Sequence, residues 1–200
     1  AGYRVVQMAE RGMEGGGGIF SFAIDHGRGG MGCGGAMEGV GNILGQEARL
    51  WIFGGGHVAQ QLAPMAAATG FFVCVVEDRP AFEKAFSGVE YRVSSPETYG
   101  EDVPIGPEDY VVICTRGHSQ DEAALRFALS RKPLYTGMIG SRRKVETLME
   151  HLRGEGFSGG DLASVYAPIG LAIATDKPAE IAVSILAEML LVKNHGRPGH

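Results

Sequence analysis

The run Leu50-Trp51-Ile52-Phe53-Gly54-Gly55-Gly56-His57-Val58-Ala59 decides how the rest of the chain is read. Four apolar residues form a short buried strand and stop at three glycines. A helical spacing then runs from His57 to about Thr69, with Val58, Leu62, Met65 and Ala66 on one face. Gly54, Gly56 and Ala59 make a G-x-G-x-x-A pattern between strand and helix. In such a pattern Gly54 permits the tight turn and Gly56 lets the backbone approach a pyrophosphate. Ala59 stands where a third glycine would keep helix and strand close. The helix start offers free N–H groups and the positive end of its dipole, both suited to phosphate. Gly55 completes the turn, and His57 either touches that phosphate or merely begins the helix with Val58.

Working outward, Gly70 ends the helix and Phe72–Val76 is a second buried strand. Pro64 conflicts locally with the helix, because an interior proline removes a hydrogen bond. Glu77 follows 23 positions after Gly54, at the strand end where an acid bonds a ribose hydroxyl. Asp78 is the alternative acid, and Arg79 leaves room for a 2′-phosphate. Further strands are expected at Val89–Val93, Tyr110–Cys114 and Leu134–Ile139. Ser119, with Glu122 three residues on, predicts a capping box opening one helix. Gly140-Ser141 leads into another, with Val145, Leu148, Met149 and Leu152 at helical spacing, and a loop over Gly154–Gly160 follows it. Pro178 fits the first position of a last helix, whose Ile181, Ala182, Ile185, Leu186, Met189 and Leu190 form a wide apolar stripe. Strands that are apolar throughout, alternating with amphipathic helices, predict an α/β fold: a Rossmann-like doubly wound parallel sheet over 49–195. Residues 1–48 are read as a small irregular N-terminal segment, with a short helix over Tyr3–Met13, a strand over Gly18–Ile24 and a turn at Asp25–Gly30.

Composition narrows the partners. With 44% hydrophobic and 20% charged residues in 200, the chain can bury a core and is not of the disordered class. A formal net charge of -5 argues against nucleic acid or an anionic membrane, either of which wants a basic face. Cys33, Cys74 and Cys114 form no C-x-x-C pair. Their scatter, and the lack of a signal-peptide pattern in the sequence given, lead to the expectation of a cytoplasmic protein. Cys74 and Cys114, inside apolar runs, are expected to be shielded. Cys33, flanked by Gly32, Gly34 and Gly35, is expected to be accessible, as a reactive thiol or a soft-metal ligand. The wide stripe on the last helix predicts a homodimer.

Two more turns should share the carboxyl edge of the sheet. Thr115-Arg116-Gly117-His118-Ser119-Gln120-Asp121 brings a cation, an imidazole and a carboxylate to a helix start. His118 and Asp121 are the candidate catalytic pair, although an acid there also simply complements the dipole and the histidine also fits a plain surface position. Gly137-Met138-Ile139-Gly140-Ser141-Arg142-Arg143-Lys144 sets a hydroxyl and three cations at another helix start, an arrangement for anion capture or a solvated basic face. The ligand these turns imply is NAD(P) or another phosphate-bearing dinucleotide. The rival functions are an NAD(P)-dependent oxidoreductase and a nucleotide-sensing module without chemistry.

Phe53–Ala59, Val75–Pro80 and Thr115–His118 with Asp121 together resemble the XdhC/CoxI family. So do Gly137–Lys144, Ala167-Pro168-Ile169-Gly170-Leu171 and Pro178–Ile185, and Cys33-Gly34-Gly35 with Met37 resembles an element the family carries ahead of its Rossmann unit. Ala172 and Ala174 stand where the family usually has aspartate and glycine. The resemblance implies an accessory protein of xanthine dehydrogenase-type molybdenum hydroxylases, more a maturation factor than an enzyme. It implies binding of molybdenum cofactor, as molybdopterin or its dinucleotide form, assistance in its sulfuration, and delivery to the hydroxylase. A cysteine desulfurase is a further implied partner, with Cys33 as the sulfur-carrying or metal-binding residue.

Overall fold

In a computed structural model, residues 18–25, 36–43, 48–173 and 175–196 are described. Contacts divide the chain into two compact units, Ala1–Glu47 and Ala48–His200. Tyr3–Met13, most of the Asp25–Gly30 turn and Cys33 lie outside the described residues. In the first unit β1 (Gly18–Asp25) pairs antiparallel with β2 (Ala36–Ile43), in register from Gly18 opposite Ile43 to Asp25 opposite Ala36. Gly18–Ile24 was expected as a strand. Its partner was not, because Gly39 and Gly41 break the apolar alternation of β2.

The second unit holds β3 (Ala48–Phe53), β4 (Phe71–Glu77), β5 (Glu90–Val93), β6 (Tyr110–Ile113), β7 (Tyr135–Met138) and β8 (Val165–Tyr166). They form one parallel sheet in the order β5-β4-β3-β6-β7-β8. Its helices are α1 (His57–Ala68), α2 (Tyr99–Asp102), α3 (His118–Arg131), α4 (Arg142–Gly154), α5 (Gly159–Ala163) and α6 (Pro178–His195), with a 3-10 turn at Pro80–Ala85. No helix among the described residues is long and apolar enough to cross a membrane.

Both faces of the sheet are covered, which is why its central strands are apolar and buried over Leu50–Phe53, Val73–Val76 and Tyr110–Ile113. Leu50 and Ile52 point to the face covered by α1 and α6, against Leu62, Ala66, Ile185 and Met189. Trp51 and Phe53 point the other way, against Leu125, Ala128, Leu148 and Leu152 of α3 and α4. The α6 stripe is therefore spent largely inside this unit. Ala182, Ile185 and Met189 are fully buried, and Ile181, Leu186 and Leu190 pack on the same cluster. The homodimer expected from that stripe loses its premise; what α6 exposes is Val183 and Leu191 instead.

Other differences have local causes. α1 runs unbroken through Pro64, which is exposed, so the hydrogen bond it forgoes lies on the solvent side. There is no capping box at Ser119: α3 starts at His118 with extended Gly117 as its cap residue and no side-chain cap. Asp121 accepts bonds from the Thr115 N–H and hydroxyl, and the cap falls two residues before Ser119. The loop expected over 154–160 already contains the start of α5, capped by the Ser158 hydroxyl. Cys74 is buried as expected, but Cys114 lies just past β6 and is half-buried at the sheet edge.

Gly54 is held at φ +108°, and a Cβ there would lie 2.4 Å from the Cys114 carbonyl oxygen. The clash is with backbone, which has nowhere to retreat inside the sheet. Gly54→Ala is expected to lower unfolding free energy by about 2–4 kcal/mol, measured by urea denaturation. A variant as stable as the parent would show that the two strand ends are not held this close.

Candidate functional site

The strand order places β3 between β4 and β6, and the chain reverses its direction of winding between β3 and β6. α1, after β3, covers one face and α3, after β6, covers the other. A crevice opens between such helices at the carboxyl ends of the strands, where open α/β sheets bind ligands. The glycine turn forms one wall and Cys114-Thr115-Arg116 the other.

Three backbone bonds stitch the strand ends beneath the crevice. Gly54 N–H donates to Val76 O (2.8 Å), Cys114 N–H to Phe53 O (2.9 Å) and Ile139 N–H to Ile113 O (2.9 Å). Gly54 and Gly55 are buried, Gly56 and Val58 half-buried, and His57 exposed. A Cβ on Gly56 would meet nothing within 4 Å, so the space in front of it is open. That opening faces the start of α1, whose first-turn N–H groups lack helical partners.

Glu77 does not stand free at the end of β4. One carboxylate oxygen accepts the Gly55 N–H (2.7 Å) and Arg79 Nη2 (3.0 Å); the other accepts Arg79 Nε (2.7 Å). Burial by itself raises its pKa, but Arg79, Asp78 and the Gly55 N–H outweigh burial and hold it at about 2. Arg79 also lies over the Phe82 ring at 3.9 Å. Asp78, the next residue, is less buried than Glu77 and is tied to the opposite wall. Its Oδ2 accepts from Arg116 (2.6 Å) and Gln120 (3.0 Å), while its Oδ1 is buried without a hydrogen-bond partner. Asp78 follows β4 and Arg116 follows β6, so their ion pair spans the end of β3 between them.

The candidate catalytic pair is not assembled. Asp121 is buried, and its oxygens are taken by Thr115 (N–H 3.1 Å, hydroxyl 2.6 Å) and by the Lys144 ammonium. His118 is exposed at the start of α3 and has no hydrogen bond to Asp121. Burial, with the charges of Asp121 and Glu77, pushes the Cys114 thiol up to about 12, so it is no thiolate at neutral pH. Gly140, Ser141 and Arg142 lie on the next turn of the same edge. Ser141 caps α4 by accepting the Lys144 N–H (3.3 Å), and Arg142 is exposed. Gln120 and the Lys144–Asp121 pair were missed from sequence, since neither contact has a local spacing to reveal it.

A parallel sheet wound in this order, with a glycine turn at its switch point, defines a Rossmann-type domain. The XdhC Rossmann domain model matches residues 50–189, and the chain belongs to that family. It is 34% identical over 174 residues to the YqeB protein of Escherichia coli, covering 85% of this chain and 32% of that one. It is 33% identical over 148 residues to a Bacillus subtilis protein named as a probable xanthine dehydrogenase subunit, covering 72% and 42%. It is 26% identical over 147 residues to the molybdenum cofactor insertion chaperone PaoD of Escherichia coli, covering 74% and 41%. A solved Bacillus halodurans structure described as a xanthine dehydrogenase superposes with TM-score 0.67 at 27% identity, covering 81% of this chain and 46% of that one. The chain thus spans 32% to 42% of the length of these curated relatives.

The Glu77 carboxylate ties pH to stability. Its folded pKa of about 2 lies below the ordinary 4.5, so its contribution is present above pH 4.5 and disappears as pH falls through 2. Glu77→Gln is expected to be less stable at neutral pH and to show a flatter loss of stability between those two pH values. Parallel profiles for the two proteins would show that Glu77 is not the group that holds the turn.

Proposed function

We propose that this chain is the cofactor-holding domain of a molybdenum-cofactor maturation protein. In this reading the crevice takes the phosphate-bearing part of molybdopterin or of its dinucleotide form and presents it to a xanthine dehydrogenase-type hydroxylase. Family membership supports the maturation role, together with relatives named as an insertion chaperone and as part of a probable xanthine dehydrogenase. The observation that carries the site is the open space at Gly56 in front of the α1 N-terminus. A diphosphate there accepts the free N–H groups of α1 beside His57 and Val58. Arg116, its side chain half exposed, exchanges Asp78 for phosphate, and Asp78 then accepts ribose or pterin hydroxyl donors.

When bound, the cofactor supplies a molybdenum centre whose sulfuration calls for a sulfur donor such as a cysteine desulfurase. Cys33 is assigned the soft-thiolate role, since Cys114 is held as a neutral thiol. An NAD(P)-dependent oxidoreductase finds less support. Asp121 is committed to Thr115 and Lys144, which leaves His118 without a carboxylate partner to orient it.

Gly56→Val tests the site, because the added Cβ enters open space and the fold loses at most a favourable helix cap. The variant is expected to stay folded and to lose at least roughly tenfold in affinity for the isolated cofactor or NAD, by calorimetry. Equal affinity in a folded variant would place the ligand elsewhere. Arg116→Ala is expected to weaken the same ligand by a smaller factor, roughly three- to tenfold, with fold intact. An unchanged affinity would remove Arg116 from the phosphate contacts.

A further inference from the structure

The end of β4 holds two residue types that a Rossmann crevice ordinarily uses one at a time. An acid there accepts the 2′-hydroxyl of a ribose, and a nearby arginine accommodates a 2′-phosphate. This chain has both, Glu77 and Arg79, and they are bonded to each other. Arg79 closes on the carboxylate with Nε to Oε1 (2.7 Å) and Nη2 to Oε2 (3.0 Å), the forked pairing of a guanidinium with a carboxylate. Oε2 also accepts the Gly55 N–H (2.7 Å). Those three bonds fill most of the roughly four acceptor positions of a carboxylate. Only 5% of the Glu77 side chain is exposed.

Arg79 is held from its outer side as well. Its guanidinium lies over the Phe82 ring at 3.9 Å, and the Tyr91 hydroxyl donates to its carbonyl (2.6 Å). Tyr91 packs on Phe86, ring centroids 5.7 Å apart, and both belong to the hydrophobic cluster on that face of the sheet. Backbone, ring and ion pair thus fix the arginine in one place. A ribose hydroxyl entering at Glu77 would exchange a charged donor for a neutral one. A 2′-phosphate drawing Arg79 away would leave a buried carboxylate without its cation. Neither exchange is favourable.

We propose that Arg79 is a specificity-determining residue: by capping Glu77 it leaves the crevice unable to read the 2′ position of a ribose. The glycine turn selects for phosphate, and a 2′-hydroxyl, a 2′-hydrogen or a 2′-phosphate on the neighbouring sugar is held alike. This inference rests on the crevice reading given above and adds what that crevice does not discriminate.

Calorimetry of the full chain with three probes tests it: NAD, NADP, and NAD lacking the 2′-hydroxyl of its adenosine ribose. The last keeps its 3′-hydroxyl for any other acceptor, so it reports on the 2′ position alone. The parent is expected to bind all three within about threefold. Arg79→Met uncovers the carboxylate and is expected to prefer NAD over both other probes by at least roughly tenfold. Glu77→Gln releases the guanidinium and is expected to prefer NADP over NAD by a similar factor, roughly tenfold, so the test stands on either variant should the other fail to fold. A tenfold preference in the parent, or folded variants that bind all three alike, would overturn the proposal. Gly56→Val separates that failure from failure of the crevice itself. A 2′ preference in a parent whose binding is lost in Gly56→Val overturns this inference alone. Binding that survives in Gly56→Val, or no binding of any probe by the parent, overturns the crevice reading and this inference together.

Discussion

Gly54 and the Cys114 carbonyl are so close that even a methyl group at Gly54 would overlap backbone across the gap between β3 and β6. This contact lies where the sheet changes its direction of winding. α1 leaves β3 toward one face and α3 leaves β6 toward the other, so the crevice between them exists only if both strands end together. The bonds Gly54 N–H to Val76 O and Cys114 N–H to Phe53 O then fix the carboxyl ends of β4, β3 and β6 at one level. Everything that faces the crevice is positioned by that shared edge, including the open space at Gly56.

Two buried carboxylates hold the turns on either side of it. Glu77 fastens the Gly55 N–H from the β4 side, and Asp121 fastens the Thr115 N–H and hydroxyl from the α3 side. Each has its own cation, Arg79 and Lys144 respectively. A buried carboxylate stripped of its cation becomes an uncompensated charge, a change that costs about 3–5 kcal/mol when a buried pair is broken. The acids that sequence spacing marks as chemical are thus committed to shape. Asp78 is more exposed than either, with its Oδ2 held by Arg116 and Gln120 and its buried Oδ1 3.8 Å from Arg79 Nε.

Much of this was legible in the sequence, and the boundary falls at contacts between distant residues. The continuous apolar runs over β3, β4, β6 and β7 and the helical stripes of α1, α4 and α6 carry their own period, so the doubly wound sheet could be read directly. Gly54-Gly55-Gly56 could be read because a phosphate turn needs its glycines at fixed spacing. The two-residue strand β8 and the short helices α2 and α5 were missed, since elements of that length hold too few residues to show a period. The α3 cap was misplaced because Asp121, a tertiary partner of Thr115 and Lys144, outweighed the local Ser119-to-Glu122 pattern. Cys114 was taken for a core thiol because its neighbours are apolar, although the strand ends one residue before it.

The balance of charge along the carboxyl edge is set by which groups are already committed. A redox or hydrolytic site needs a group poised to exchange a proton near neutral pH. Here Glu77 is fixed as the anion with a pKa near 2, Cys114 as the thiol with a pKa near 12, and Asp121 is saturated by Thr115 and Lys144. Among the described residues of this edge, the groups left uncommitted include the start of α1, Arg142, Arg143 and the exposed His118 imidazole, and Arg116 can leave Asp78 for a better anion. Such a set is suited to phosphate, which is what the proposed role of holding a phosphate-bearing cofactor requires.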